Sequence, residues 1–124
     1  MADKEYTALK FDPFGSEYLR LNKDSETFIK KIIRSVRDAV GPNVELMIEG
    51  HKRFNTVEAI KISNWLKEYD VTWFEDPIDN DDIDSLIHVS NNSPVRIIAG
   101  EGFDDHKDFT RFVSSNATDI VNPE

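Results

Sequence analysis

Apolar residues along this chain fall into two alternating patterns. Short apolar runs bounded by Gly, Pro, Asn or Asp predict strands at Thr7 to Phe11, Val44 to Ile48, Val71 to Phe74, Val95 to Ala99 and Asp119 to Val121. Between them, apolar positions recur at helical spacing. Phe28, Ile32, Ile33, Val36 and Val40 predict a first helix, capped by Asp24 or Ser25 and ended by Gly41-Pro42. Ala59, Ile62, Leu66 and Tyr69 predict a second, starting at Asn55 or Thr56, with Glu58 placed to complete a capping box with Asn55. A shorter helix carries Ile83, Leu86 and Ile87 and breaks at Asn91-Asn92-Ser93-Pro94, and Phe109, Phe112 and Val113 mark the last.

Strands alternating with helices, without a hairpin signal, predict a parallel sheet with right-handed crossovers. A doubly wound sheet and a (β/α) barrel both satisfy that pattern. Three strings help to separate them: Leu46-Met47-Ile48-Glu49, Thr72-Trp73-Phe74-Glu75 and Ile97-Ile98-Ala99-Gly100-Glu101. The steps from 49 to 75 and from 75 to 101 are both 26 residues, about the length of one βα unit. Alternate residues on a strand share a face. Glu49 is therefore expected to share a face with Met47, Glu75 with Trp73, and Glu101 with Ala99 and Ile97, leaving Ile48, Phe74 and Ile98 to point at the helices. Acids gathered at the C-terminal ends of strands are barrel geometry.

The expected fold is α/β: a partial TIM-type (β/α) barrel of about five parallel strands alternating with helices, a single incomplete fragment over residues 1–124. A whole barrel takes about 250 residues, and this chain reaches Asn122-Pro123-Glu124 directly after a strand. Its open strand edges are expected to pair with a missing barrel segment or with another copy, as a homo-oligomer.

Composition narrows the partners. With 24 acidic and 15 basic side chains the formal net charge is −9, which argues against nucleic acid or an anionic membrane surface. There is no cysteine, so disulfides and thiol chemistry are excluded. The charged start, Met1-Ala2-Asp3-Lys4-Glu5, is unlike a signal peptide, and no stretch approaches membrane-spanning length. A cytoplasmic location is expected. The three glutamates change the picture more. Brought together they repel one another, and a divalent cation removes that conflict. An all-oxygen donor set suits magnesium.

On these residues the chain resembles the barrel domain of the enolase superfamily, in its mandelate racemase and muconate lactonizing enzyme branch, with the acid-sugar dehydratases most similar. The markers are Ala8-Leu9-Lys10-Phe11-Asp12-Pro13-Phe14-Gly15, Glu49-Gly50-His51-Lys52-Arg53-Phe54, Trp73-Phe74-Glu75-Asp76-Pro77 and Ala99-Gly100-Glu101, in order over nearly the whole chain. The resemblance implies that the chain corresponds to barrel strands two to six, without the capping domain. It implies Mg2+ held by Glu49, Glu75 and Glu101, although the first position is usually aspartate. It implies a hydroxy-carboxylate (acid-sugar) substrate that loses water after proton abstraction next to the carboxylate, the ene-diolate being stabilised by the metal. His51 would be the acid assisting hydroxyl departure. Lys10 would be a charge near the substrate carboxylate or the metal, because Asp12 stands where many relatives carry a second lysine. Arg53, Asp76 and Arg111 would support the site from behind, as would Glu124, which matches the position of an acid that pairs with the relatives' base. The base is expected on a strand outside this chain. A racemase, epimerase or cycloisomerase of the same branch is the alternative enzyme. A non-catalytic part-barrel that acts as an association module is the alternative without chemistry. His88 and His106 read as solvated, Trp65 and Tyr69 as helix packing, and Trp73 as barrel filling.

Overall fold

The protein is described by a computed structural model covering residues 6–123. Glu124, one of the expected supporting residues, lies outside the described residues. Five strands alternate with helices: β1 (Ala8–Phe11), α1 (Lys23–Val40), β2 (Glu45–Glu49), α2 (Thr56–Leu66) with a 3-10 turn (Lys67–Tyr69), β3 (Val71–Glu75), α3 (Ile83–Asn91), β4 (Arg96–Ala99), α4 (His106–Ser114) and β5 (Ile120–Val121). The sheet order is β1-β2-β3-β4-β5 and every pairing is parallel. That order decides between the two architectures. A doubly wound sheet reverses its strand order at a switch point, and this sheet does not. Right-handed crossovers taken in one direction put all the helices on one face, as in a barrel wall. The result is an open sheet that matches part of a barrel.

The core lies between the sheet and that helical layer. Ile48, Phe74, Ile97 and Ala99 from the strands meet Ile29 and Ile33 of α1, Ala59, Ile62 and Leu66 of α2, Leu86 and Val89 of α3, and Phe112 of α4. The other face carries Lys10, Met47, Trp73 and Arg96 in one register row, and Glu49, Glu75 and Ile98 in the row nearer the C-terminal strand ends. The expected facing of β4 is therefore reversed: Ile97 and Ala99 face the helices and Ile98 shares the face of Glu75. The even step of 26 hides an uneven register. Glu75 pairs with Glu49 on one side and Ile98 on the other, so Glu101 sits three residues past its level. The α3 helix has 9 residues, against 11 in α2 plus 3 in the following turn, so the chain re-enters the sheet sooner. A one-residue slip also occurs inside β3, where Leu46 pairs with Val71 and Met47 with Trp73, leaving Thr72 as a bulge.

The helix ends refine the expectations. Asn22, not Asp24 or Ser25, caps α1, its side chain accepting from the Ser25 amide. At the far end Gly41 has φ 80, a left-handed conformation open to glycine. There Arg37 donates to the carbonyls of Gly41, Val44, Tyr69 and Asp70, tying α1 to the turn before β3. Asn55 caps α2 by accepting from the Glu58 amide at 2.9 Å. The expected capping box does not close, because the Glu58 carboxylate takes Lys61 and the Asn55 amide donates to the Leu19 carbonyl. His106 is the first residue of α4, and both it and His88 are exposed, as expected of solvated side chains.

The apolar stripe of α1 divides. Ile29 and Ile33 enter the core while Phe28 is 63% exposed. Ile33→Ala is expected to cost about 2–5 kcal/mol in urea-induced unfolding. Phe28→Ala should change stability by no more than about 0.5 kcal/mol in the same measurement.

Candidate metal centre

Short connections past the strand ends build the site. The Gly50 amide donates to the Glu75 carbonyl at 2.8 Å, the Lys52 amide to the Asp76 carbonyl at 2.7 Å, and the Asp76 amide to the Ile98 carbonyl at 2.8 Å. These bonds continue the ladder beyond β2, β3 and β4 and hold three chain segments at one end of the sheet. The fit is close at Gly50: a Cβ there would lie 2.8 Å from the Asp76 carbonyl oxygen and 3.0 Å from the Phe74 ring. His51, Lys52 and Asp76 all take left-handed backbone, with φ of 50, 60 and 40. For residues with side chains that is a costly conformation, and it concentrates at functional sites.

Three carboxylates meet here, flanked by a fourth. Glu75, Asp76 and Glu101 each offer an oxygen, all within 4.8 Å of one another, as the one such acidic group of metal-binding type among the described residues. Glu75 is 2% exposed and Asp76 fully buried. Glu101 reaches them from the loop after β4, turned there by Gly100 at φ 137. Glu49 is also buried but stands apart from this trio. Its Oε1 accepts from the His51 amide at 3.0 Å and its Oε2 lies 3.4 Å from Lys10 Nζ. Lys10 Nζ donates to Glu75 Oε2 at 2.5 Å, so one ammonium spans Glu49 and Glu75. The structure thus brings together two of the three expected ligands and adds Asp76, which the sequence placed behind the site.

Other partners surround the acids. Asn122 donates to Glu75 Oε1 at 2.6 Å. Asn80, itself buried, donates to Asp76 Oδ1 at 3.3 Å and to the Glu101 carbonyl at 3.2 Å. Lys52 Nζ donates to the Glu101 carbonyl at 3.0 Å. Asp76 Oδ2 is buried with no hydrogen-bond partner. Burial first, and the Glu101 charge second, push the Asp76 carboxyl up to about 7. Burial also raises Glu49, reinforced by the Glu75 charge and opposed by the His51 amide and by Lys10. Lys10 is raised as well: burial opposes this, but its bonds to Glu75 and Glu49 outweigh it. Buried carboxylates, an oxygen lacking a partner and an ammonium seated between two acids fit a hard cation that takes oxygen ligands.

The family model for the enolase C-terminal domain-like fold matches residues 1–124. The chain belongs to the enolase C-terminal domain-like family. D-gluconate/D-galactonate dehydratase of Picrophilus torridus is 36% identical over 120 residues, covering 95% of this chain and 30% of that protein. D-gluconate dehydratase of Thermoproteus tenax is 30% identical over 119 residues, covering 96% of this chain and 24% of that protein. The chain therefore spans less than a third of the length of these curated relatives. Among solved structures, a mandelate racemase/muconate lactonizing enzyme-like protein from Rubrobacter xylanophilus superposes with a TM-score of 0.85 at 26% identity, over 96% of this chain and 32% of that one. An enolase from Bradyrhizobium complexed with magnesium and mandelic acid gives 0.79 at 23% identity, over 94% and 30%, a likeness of fold alone. No helix among the described residues is long and apolar enough to cross a membrane.

The remaining candidates of this enolase-type domain are spread more widely. His51 sits just beyond Glu49, its side chain 53% exposed and its Nδ1 2.8 Å from Asp12 Oδ2. Arg53 pairs with Asp12, not with the acids of the trio. Arg111 lies on α4 beside a groove formed by Asn80, Ile83, Phe103 and Asp108. Three residues escaped the sequence reading. Asp12 and Asn122 each lie two residues beyond an inner-face position, Lys10 and Ile120, so strand parity could have found them. Asn80 carries no such signal, since it reaches the site through a loop.

A pH prediction follows from Asp76. In the folded state it keeps its proton between its ordinary 3.8 and about 7, where the unfolded chain has released it. The stability this contributes is full below 3.8, declines as pH rises, and is gone above about 7. Without divalent cation, the urea midpoint should be higher at about pH 5 than at about pH 8. Asp76→Asn should flatten that part of the profile.

Proposed function

We propose that this chain carries the cation-binding end of an acid-sugar dehydratase and that Mg2+ is its metal. The observation that carries this reading is the convergence of Glu75, Asp76 and Glu101 at adjacent strand ends, beside Lys10 and His51. Glu75 and Glu101 would hold the cation. Glu49 is favoured as the third ligand because it is the register partner of Glu75 on the neighbouring strand, and a single ammonium already touches both. A bound dication supplies the positive charge that makes a proton next to a carboxylate removable.

The chain's own residues have distinct tasks. Lys10 puts a fixed positive charge where a substrate carboxylate would lie, and steadies Glu49 and Glu75. Asn122 and Asn80 hold Glu75 and Asp76 in place through their amide hydrogens. The half-exposed ring of His51 is the group that can pass a proton to a departing hydroxyl. The dehydratases of Picrophilus torridus and Thermoproteus tenax support a hydroxy-carboxylate of the aldonic acid class as substrate. A cytoplasmic location fits that metabolic role. The domain assignment, strands two to six of the C-terminal barrel, agrees with the five-strand parallel order and with the share of each relative that is covered. Completion of the sheet, by the rest of a barrel or by a second copy, would cover its open edges.

A second ligand reading rests on Asp76 Oδ2, which is buried and has no partner. In it, Asp76 replaces Glu49. Titration calorimetry with Mg2+ tests both. Glu75→Gln should weaken binding by more than the roughly 10–100-fold that loss of an outer partner costs. Glu49→Gln should do the same while Asp76→Asn does not; the opposite result would select Asp76. If none of the three changes magnesium binding, the metal reading fails. The 124-residue protein alone should show no dehydration of D-gluconate, since among the described residues beside the trio Lys10 is held by Glu49 and Glu75 and His51 is assigned as the acid; turnover would overturn that expectation.

A further inference from the structure

Asp12 lies two residues past Lys10, just beyond β1, and its carboxylate is fully engaged. Oδ1 accepts from the Phe14 amide at 2.9 Å and from Arg53 Nη1 at 3.0 Å. Oδ2 accepts from Arg53 Nη2 and lies 2.8 Å from His51 Nδ1. The two loops that bring these groups together are themselves pinned. Phe14, two residues past Asp12, and Phe54, next to Arg53, are buried and pack edge to face with ring centres 4.8 Å apart. Phe14 also meets Phe74 of β3. Asp12 is thus aimed by Arg53, by a backbone amide and by an aromatic anchor, none of which depends on His51.

Burial would raise the Asp12 carboxyl, but the bonds from the Phe14 amide, Arg53 and His51 outweigh it and hold it below its ordinary value. An ionised carboxylate can only accept. The ring nitrogen facing it must therefore carry the hydrogen even when the imidazole is neutral. That leaves Nε2 as the nitrogen free to take up or deliver a proton. The backbone end of His51 is held separately, through its amide to Glu49 and its left-handed φ of 50.

We propose that Asp12 is the positioning residue for His51, fixing the tautomer and aim of its ring through Nδ1, with Arg53 fixing Asp12 in turn. The proposal rests on the reading of His51 as the proton-transfer group. An ordinary half-exposed ion pair would be worth about 0–1 kcal/mol and would leave a neutral ring free to choose its tautomer. A positioning role forbids that choice.

The test reads the tautomer directly and needs neither metal nor turnover. In the 15N-labelled 124-residue protein, long-range proton–nitrogen correlation assigns each neutral imidazole. The exposed His88 and His106 serve as internal controls. His51 should be mostly the Nδ1–H form, with His106 mostly Nε2–H. Asp12→Ala should turn His51 to an Nε2–H majority while the two controls and the amide spectrum stay unchanged. Asp12→Asn preserves the shape of the side chain and should lower the Nδ1–H fraction even if the alanine variant does not fold. An Nε2–H majority at His51 in the unmodified protein, or an Nδ1–H fraction unmoved by both substitutions, would overturn the proposal. Because magnesium calorimetry is a separate measurement, failure of the metal reading and failure of this one are told apart.

Discussion

The crowding of Glu49, Glu75, Asp76 and Glu101 at one end of a parallel sheet is the constraint to which the rest of the site responds. Buried carboxylates without compensation would each be driven to hold a proton. Lys10 relieves Glu49 and Glu75 together, Asn122 satisfies one oxygen of Glu75, and Asn80 satisfies one of Asp76. The compensation is incomplete, since Asp76 Oδ2 has no partner and the Asp76 carboxyl is pushed far upward. A site left short of positive charge in this way suits the hard cation proposed for it. It also carries left-handed backbone at His51, Lys52 and Asp76. A chain selected for stability alone would have little reason to keep both.

The scaffold makes that crowding possible. Each strand enters from the same end, so each strand end delivers its loop to the same edge. The helices cover only the far face, where Ile33, Leu66, Leu86 and Phe112 seal a core against Ile48, Phe74 and Ile97. Strands stiffened from behind give the acids fixed starting points, and a glycine at the tip of β2 lets the neighbouring chain approach within van der Waals contact. The polar work is then divided between rigid and looser parts. Glu49 and Glu75 sit on the strands themselves, while Glu101, His51 and Asp12 ride on the loops beyond them.

The division matches the chemistry. In the proposed site Glu49 and Glu75 would hold a cation from rigid strand ends, and Glu101 would close on it from the loop after β4. A proton-transfer group needs access to substrate and a defined tautomer, which a half-exposed ring can combine only if a second residue orients it. In the proposed reading the Arg53–Asp12–His51 chain would supply that orientation, from two loops joined by the Phe14–Phe54 contact.

Local patterning carried much of this protein's description. Apolar periodicity set the order and type of all five strands and four helices, because each element must present one face to a common core. Strand parity placed Glu49 and Glu75 correctly, since the two strands pair with nearly constant register. What one strand contributes can be read along one strand. Relations between segments could not be read that way. The equal step to Glu101 implied an equal level that the shorter α3 connection does not give, and the facing of β4 came out reversed. The split of α1 into a buried Ile29–Ile33 edge and an exposed Phe28 depended on which neighbours arrive. Asp12 and His51 are 39 positions apart, and Asn122 is 47 from Glu75; only the folded sheet makes them hydrogen-bond partners. Residue types and their spacing set what each element is, whereas the register between elements and the closing of loops decide which charges meet. The energies that choose register come from packing across the whole sheet, not from any local stretch of chain.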